Sequence, residues 1–344
     1  MIIVIDKDIP FIEGVFENYA TVRYLDSSEI NAAAVHDADA IVIRTRTKCG
    51  AALLEGSSVK IISTATIGYD HIDLEYCRNK GIHVQNASGC NAGAVMNYVV
   101  SAIYGTASRK RINLSGCKVG IIGVGNVGSR VARALGLLGF NVLLNDPPRA
   151  AVESPALFCD LDFLLRNSDI VSMHVPLTPE TMGMADAAFF SKMKLGAIFV
   201  NASRGEVVDE SALLGAVEKL GSVVLDTWCN EPDINRDLLK AVDIATPHIA
   251  GYSYQGKLVG TSMAVRAVAR YLDIKELFDF FPDPKGEPRD AVKLDLRDKS
   301  QGQITSILQY NYPIFTDDFM LRIAPENFES LRANYRYRRE FFID

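Results

Sequence analysis

The chain has 344 residues, of which 48% are hydrophobic and 23% charged, an ordinary globular composition for about two domains. Its 36 basic and 42 acidic side chains leave a formal charge of −6, which argues against a nucleic-acid partner bound through a basic face. No uncharged apolar run approaches the roughly 18–20 residues of a membrane span, so no membrane association is expected.

The opening MIIVIDKDIP reads as a buried strand rather than a leader. From there, β-branched runs at 2–6, 21–25, 40–44, 60–64 and 82–86 predict strands separated by room for helices. The alanine-rich, proline-free run 92–110 predicts a helix linking this layer to a second one. Strands then follow at 119–124, 141–145, 169–175, 197–201, 223–228 and 243–247. Helices are expected near 126–138, 160–167, 187–194, 208–220 and 235–241. Such alternation is the grammar of parallel βαβ units, so the fold class is α/β with two doubly wound parallel sheets. Residues 253–275 predict a helix able to return to the first layer. Three prolines within 281–288 mark a linker. The tail carries an alternating stretch at 291–297 and a basic helical run at 326–340, which read as a small α+β module. The expected organisation is a substrate domain (1–92 with 253–280), a nucleotide-binding domain (93–252) and a C-terminal domain (281–344).

The six cysteines form no CxxC pair, which favours free thiols in a reducing cytoplasm and offers no metal site.

Gly123-Val124-Gly125-Asn126-Val127-Gly128 follows a predicted strand and opens a predicted helix, and Asp146 ends the next strand 18 residues beyond Gly128. In a dinucleotide site Gly123 permits the tight turn, Gly125 admits the pyrophosphate and Gly128 lets helix and strand pack closely. The amides of Asn126 and Val127 would face the phosphates, and Asp146 would accept from a ribose and repel a 2′-phosphate, favouring NAD. Arg149 nearby could instead receive that phosphate. Other α/β proteins that grip an adenosine, methyltransferases included, share parts of this pattern.

Arg204, Glu231 and His248 each stand just beyond a late strand, where open α/β sheets bind ligands. A near-neutral imidazole can take a hydroxyl proton, an acid can orient it, and an arginine can grip a carboxylate by two points. Taken singly, each has a structural alternative: a core histidine, a Glu-Pro turn, a surface cation. His36, His71, His83 and His174 read as structural or positional. Arg44 to Lys48 places basic donors just after a strand, as a phosphate would require.

The glycine loop with Asp146, Asn201-Ala202-Ser203-Arg204-Gly205, Asp226-x-Trp228-x-x-Glu231-Pro232 and Pro247-His248 resemble the D-2-hydroxyacid dehydrogenase superfamily over roughly residues 1–275. Within it, Arg44–Lys48, Thr64–Thr66, Gly89–Ala92, Asp146–Ala150, His248–Ser253 and the end of the tail are most similar to the 4-phosphoerythronate dehydrogenase family. The resemblance implies NAD-dependent oxidation of 4-phospho-D-erythronate to 3-hydroxy-2-oxo-4-phosphobutanoate in vitamin B6 biosynthesis, by a homodimer joined through the C-terminal module. It implies catalysis by Arg204, Glu231 and His248, substrate contacts from Thr45, Thr66 and Tyr252, and NAD contacts from Asn126, Val127, Asp146, Val175, Ala202 to Arg204, Asp226 and Gly251. Val175 stands where a threonine is expected, Asn97 replaces an expected glutamate, and the tail is shorter than in relatives. Arg336, Arg338 and Arg339 are further expected to reach a neighbouring subunit's substrate phosphate. Other readings are a different dehydrogenase of the superfamily, acting on phosphoglycerate or hydroxypyruvate, and a non-enzymatic NAD-sensing corepressor.

Overall fold

The computed structural model describes residues 1–283, 286 and 288–344 and divides into two compact units, 1–91 with 254–290 and 92–253 with 291–344. Of the linker expected at 281–288, Pro284, Lys285 and Glu287 lie outside the described residues.

In the first unit β1 (Ile2–Asp6), β2 (Thr21–Leu25), β3 (Ala40–Ile43), β4 (Ile61–Thr64) and β5 (His83–Asn86) form a parallel sheet of order β2-β1-β3-β4-β5. Successive side chains point to opposite faces, and both faces are covered. Ile3, Ile5 and Val42 pack with Val265 and Val268 of the returning helix Tyr254–Tyr271, while Val4, Ile41 and Ile43 pack with Leu53 and Leu54.

The second unit holds β6 (Lys118–Ile122), β7 (Asn141–Asn145), β8 (Ile170–Met173), β9 (Ile198–Asn201), β10 (Ser222–Leu225) and β11 (Ile244–Ala245). Their order is β11-β10-β9-β8-β6-β7, all parallel, and it reverses direction at β6. Ligands of open α/β sheets bind beside such a reversal, at the carboxyl ends of the strands.

One sequence expectation changes here, that of the basic run 326–340, while the long helix gains its packing. The helix Ala92–Lys110 is buried on every face from Ala92 to Ala107, so it is a core element of the second unit. It packs against the helix Asn126–Leu137 on one side and the tail helix Gln301–Asn311 on another. The basic run 326–340 is not one helix. Helix covers only Phe328–Ala333, and the chain then extends into β13 (Phe341–Ile343), which pairs in parallel with β12 (Val292–Leu294). Asn97, whose presence the sequence left unexplained, accounts for this. Its amide donates to the Phe341 carbonyl at 2.6 Å and accepts the Phe341 N–H at 3.0 Å, docking the tail strand on the buried helix.

Among the described residues no helix is long and apolar enough to cross a membrane.

Candidate active site

The glycine loop leaves β6 at the sheet reversal. Gly123 sits at φ +83°, and a Cβ there would lie 2.8 Å from the His174 carbonyl carbon and 2.9 Å from the Val175 nitrogen. A Cβ on Gly128 would lie 2.0 Å from the Gly123 carbonyl oxygen, so helix and strand close only on glycine. Nothing stands within 4 Å of the Cβ position at Gly125, which caps the 12-residue helix Asn126–Leu137. The loop therefore offers an open backbone approach to a helix N-terminus, the cradle a pyrophosphate needs.

The Asp146 carboxylate accepts the Val124 N–H at 2.7 Å and the Arg149 N–H at 3.1 Å. Arg149, a possible 2′-phosphate receptor by sequence, pairs through Nε and Nη2 with Glu153 at 2.6 and 2.7 Å, and its Nη1 donates to the Val124 carbonyl of the glycine loop at 2.5 Å. Glu153 thus offsets the Arg149 charge, and the Asp146 carboxylate stands at the loop. Asp146→Ser keeps an oxygen for the cap and removes that charge. The NAD-over-NADP ratio of kcat/KM should fall at least about tenfold, or about 1.4 kcal/mol; an unchanged ratio would show that Asp146 does not set cofactor choice. His174 is no general base, because burial pushes its ring down to about 3, and its Nε2 meets the Ser172 hydroxyl at 2.9 Å. Its part is positional, and Val175 offers its backbone to the same tight packing with Gly123.

Beyond β9, Asn201 shapes the loop that carries Ala202, Ser203 and Arg204. Its Oδ1 accepts from the Ser203 amide and hydroxyl at 3.0 and 2.7 Å, and its Nδ2 donates to the Arg204 carbonyl at 2.8 Å. One guanidinium nitrogen of Arg204 donates to the Ser203 carbonyl at 2.8 Å. A Cβ on Gly205 would lie 2.0 Å from the Trp228 carbonyl carbon, so this loop rests directly on the next one.

That next loop, after β10, carries Asp226 and Glu231. His248 follows β11. Its Nδ1 lies 2.8 Å from Glu231 Oε2 and 3.1 Å from Oε1, and the Trp228 N–H donates to Glu231 Oε1 at 3.0 Å. With Nδ1–H donating to the carboxylate, Nε2 keeps its lone pair and can accept a proton. Burial alone would raise the Glu231 carboxyl. The His248 ring, its hydrogen bond, Arg332 and the Trp228 amide outweigh that and hold it below its ordinary value.

His248 sits in the left-handed region at φ +57°, an unusual conformation for a residue with a Cβ. Asp226 holds it there. The Asp226 carbonyl accepts the His248 N–H at 2.8 Å, and the carboxylate accepts the Ile249 and Ala250 amides at 2.8 and 2.9 Å and the Thr246 hydroxyl at 2.7 Å. The residue is only 1% exposed. The sequence reading makes Asp226 a cofactor contact; in the structure its carboxylate also clamps the histidine loop.

One of the three tail arginines departs from its expected course. Arg338 does not project outward: it donates to the carbonyls of Ile249, Ala250 and Ala94 of its own chain and stacks over the Tyr312 ring at 4.2 Å. Beside it, the buried Glu340 accepts from Ser253 at 2.6 Å, in space that a Cβ on Gly93 would take. Arg332, part of the tail stretch that carries the resemblance but given no role by the sequence, lies with Nη1 3.8 Å from Glu231 Oε2 and Nε 3.2 Å from the Tyr252 hydroxyl. Gly251 lies between the carbonyl that Arg338 grips and Tyr252.

In the first unit Thr45 is exposed just past β3, and Thr66 stands just past β4, 2.6 Å from the Thr64 hydroxyl. Arg44, expected to meet a substrate phosphate, pairs through Nε with Asp6 at 3.1 Å and through Nη2 with Asp8. Its guanidinium joins strand ends within this unit.

Residues 94–250 match the family described as D-isomer specific 2-hydroxyacid dehydrogenase, NAD binding domain. The chain is 40% identical to the erythronate-4-phosphate dehydrogenase of Bacteroides thetaiotaomicron, over 99% of this chain and 97% of that one. The enzyme of that name from Bacteroides fragilis is 41% identical over the same shares. D-lactate dehydrogenase from Aquifex aeolicus, solved with NAD and lactic acid, superposes with a TM-score of 0.66 and 27% identity over 82% of this chain and 98% of its own.

Proposed function

The chain belongs to the D-isomer specific 2-hydroxyacid dehydrogenases, within them to the erythronate-4-phosphate dehydrogenase family, and from that premise we propose that it oxidises 4-phospho-D-erythronate to (R)-3-hydroxy-2-oxo-4-phosphobutanoate. The enzyme class is NAD-dependent dehydrogenation at a CH–OH group. The step serves pyridoxal 5′-phosphate (vitamin B6) biosynthesis in the cytoplasm, a compartment that suits six free thiols.

The observation that carries the chemistry is the 2.8 Å pairing of His248 Nδ1 with Glu231 beyond the strand ends. Nε2 of His248 accepts the proton of the substrate hydroxyl. Glu231, ionised over the pH range in which an imidazole titrates, holds the ring's tautomer and stabilises the imidazolium that forms. Arg204 binds the carboxylate, and Thr45, Thr66 and Tyr252 contact the rest of the substrate. Gly123 to Gly128 and Asp146 hold the dinucleotide, with Val175, Ala202, Ser203 and Gly251 along it. Bound NAD supplies the acceptor for the hydride that leaves the same carbon.

The active form is a homodimer. Tyr310, Phe319, Met320 and Ile323 of the tail helices Gln301–Asn311 and Ile314–Ile323 are exposed large apolar side chains, and a second copy of the chain would cover them.

A panel of 2-hydroxy acids read by NADH absorbance tests the substrate. The expected result is a clear preference for 4-phosphoerythronate over 3-phosphoglycerate. NADH from 3-phosphoglycerate alone would move the chain to another branch of the superfamily, and none from any acid would favour the NAD-sensing reading. Arg204→Lys should lower kcat/KM for the preferred acid by roughly 10²-fold or more, because lysine keeps the charge and loses the two-point grip. A loss under threefold would remove Arg204 from carboxylate binding.

A further inference from the structure

We propose that Arg332 is a positioning residue of the catalytic site, through which the C-terminal tail of each chain holds Glu231 and Tyr252 and limits how strongly Glu231 favours a protonated His248. The proposal rests on the reading of His248 as the proton acceptor.

The geometry comes from the tail's own packing. Phe328, at the start of the short helix Phe328–Ala333, is fully buried in the core cluster that also contains Trp228 and Leu321, and Leu331 packs against that cluster. With the helix so pinned, Arg332 is presented to the floor of the site. Its side chain and that of Glu231 are each only 17% exposed, so water screens the 3.8 Å pair poorly. The same guanidinium donates to the Tyr252 hydroxyl at 3.2 Å. Two groups assigned to the reaction, one from each side of the His248 loop, therefore share one cation from the far end of the chain. Burial opposes the charge on Arg332, and Tyr252, Glu231 and Glu329 together outweigh it, so the guanidinium stays cationic throughout.

The consequence has a definite sign. A lone carboxylate beside an imidazole stabilises the imidazolium. Arg332 draws on the same carboxylate and is itself a positive charge near the ring, so both effects oppose protonation of His248. The other charged groups beside the loop have partners of their own, and Asp226 interacts with the ring by charge as well. Asp226 lies behind the loop, with its oxygens on the Ile249 and Ala250 amides and Thr246. Arg338 grips the Ile249 and Ala250 carbonyls. Glu329 stands on the far side of Arg332, 4.0 Å from its Nη1. Glu210 accepts the Cys229 amide.

The test compares wild type with Arg332→Met and Arg332→Lys, by two readouts. One is the titration of the His248 ring followed by ¹⁵N NMR, with its signal assigned by loss in His248→Gln. The other is the pH profile of kcat/KM for 4-phosphoerythronate. In Arg332→Met the ring midpoint and the acidic limb of the profile should both move up by about 0.5–1 pH unit, a three- to tenfold loss of kcat/KM below the limb. Glu231→Gln should move the same limb down. Arg332→Lys should return the limb to its wild-type place but raise KM, because the charge is restored without the reach to Tyr252. A folded Arg332→Met protein whose ring titrates as wild type overturns the proposal, as does a Lys variant that shifts the limb as far as Met. If the wild-type protein forms no NADH from any acid, the proposed reaction falls, and the ring titration alone still decides the role of Arg332.

Discussion

His248→Asn should lower kcat by roughly 10²–10⁴-fold, the range general acid–base catalysis contributes, while NAD binds with a near-wild-type Kd. Asparagine is the informative replacement because His248 has φ +57°, a conformation asparagine tolerates better than alanine does. The loop then keeps its backbone, including the 2.8 Å bond from the residue-248 amide to the Asp226 carbonyl, and only the proton acceptor is lost. The cofactor cradle at Gly123–Gly128 rests on close packing with β6 and the chain after β8, none of which involves the imidazole. Steady-state rates and a fluorescence titration with NADH separate the two quantities. A variant with kcat within tenfold of wild type would take His248 out of the chemistry, and one that lost NAD affinity in parallel would make it a structural support of the cofactor site.

Asp226→Asn should cost the second unit roughly 3–5 kcal/mol and nearly all activity, although on this reading Asp226 handles no proton. The carboxylate accepts three hydrogen bonds, from Ile249, Ala250 and Thr246, in a place from which water is excluded. An amide offers one acceptor oxygen and turns an NH₂ toward a backbone N–H, leaving buried donors unpaired at about 1–3 kcal/mol each. Burial raises the Asp226 carboxyl, with His248, Thr246 and the two amides working against that rise. The partners that satisfy the carboxylate also fix the backbone of the loop, so the two depend on each other. Denaturant unfolding monitored by the single tryptophan, Trp228, whose Nε1 donates to the Thr246 carbonyl at 3.0 Å, reports on this same region. A midpoint equal to wild type, or full activity in the variant, would show that the clamp contributes little.

The elements legible in the sequence are those whose physics is local. Apolar runs bounded by turns placed the strands of both sheets within a few residues, because a parallel strand buried on both faces reads as a continuous β-branched stretch. Gly123 and Gly128 could be assigned distinct tasks before any coordinates, since positive φ and close backbone approach each demand a missing Cβ. Arg204, Glu231 and His248 read as candidates for a similar reason, as polar side chains just past strand ends, where an α/β sheet collects its ligands.

What the sequence could not show depends on residues far apart along the chain. The run 92–110 has the composition of any stable helix, and only the tail folded against it makes it a core element. The basic stretch 326–340 carries helix-compatible residues throughout, but β13 and the carbonyls of Ile249 and Ala250 compete for its second half, and those bonds outweigh weak local propensity. Asp226 and Arg332 show the same dependence. Only the folded chain brings the amides of Ile249 and Ala250 onto the Asp226 carboxylate, and only with Phe328 in the core does its helix place Arg332 beside Glu231. Local sequence sets which backbone shapes are allowed and which charges are present; which partner each charge meets is decided by packing of distant segments, because the energy of a buried charge lies in its neighbours.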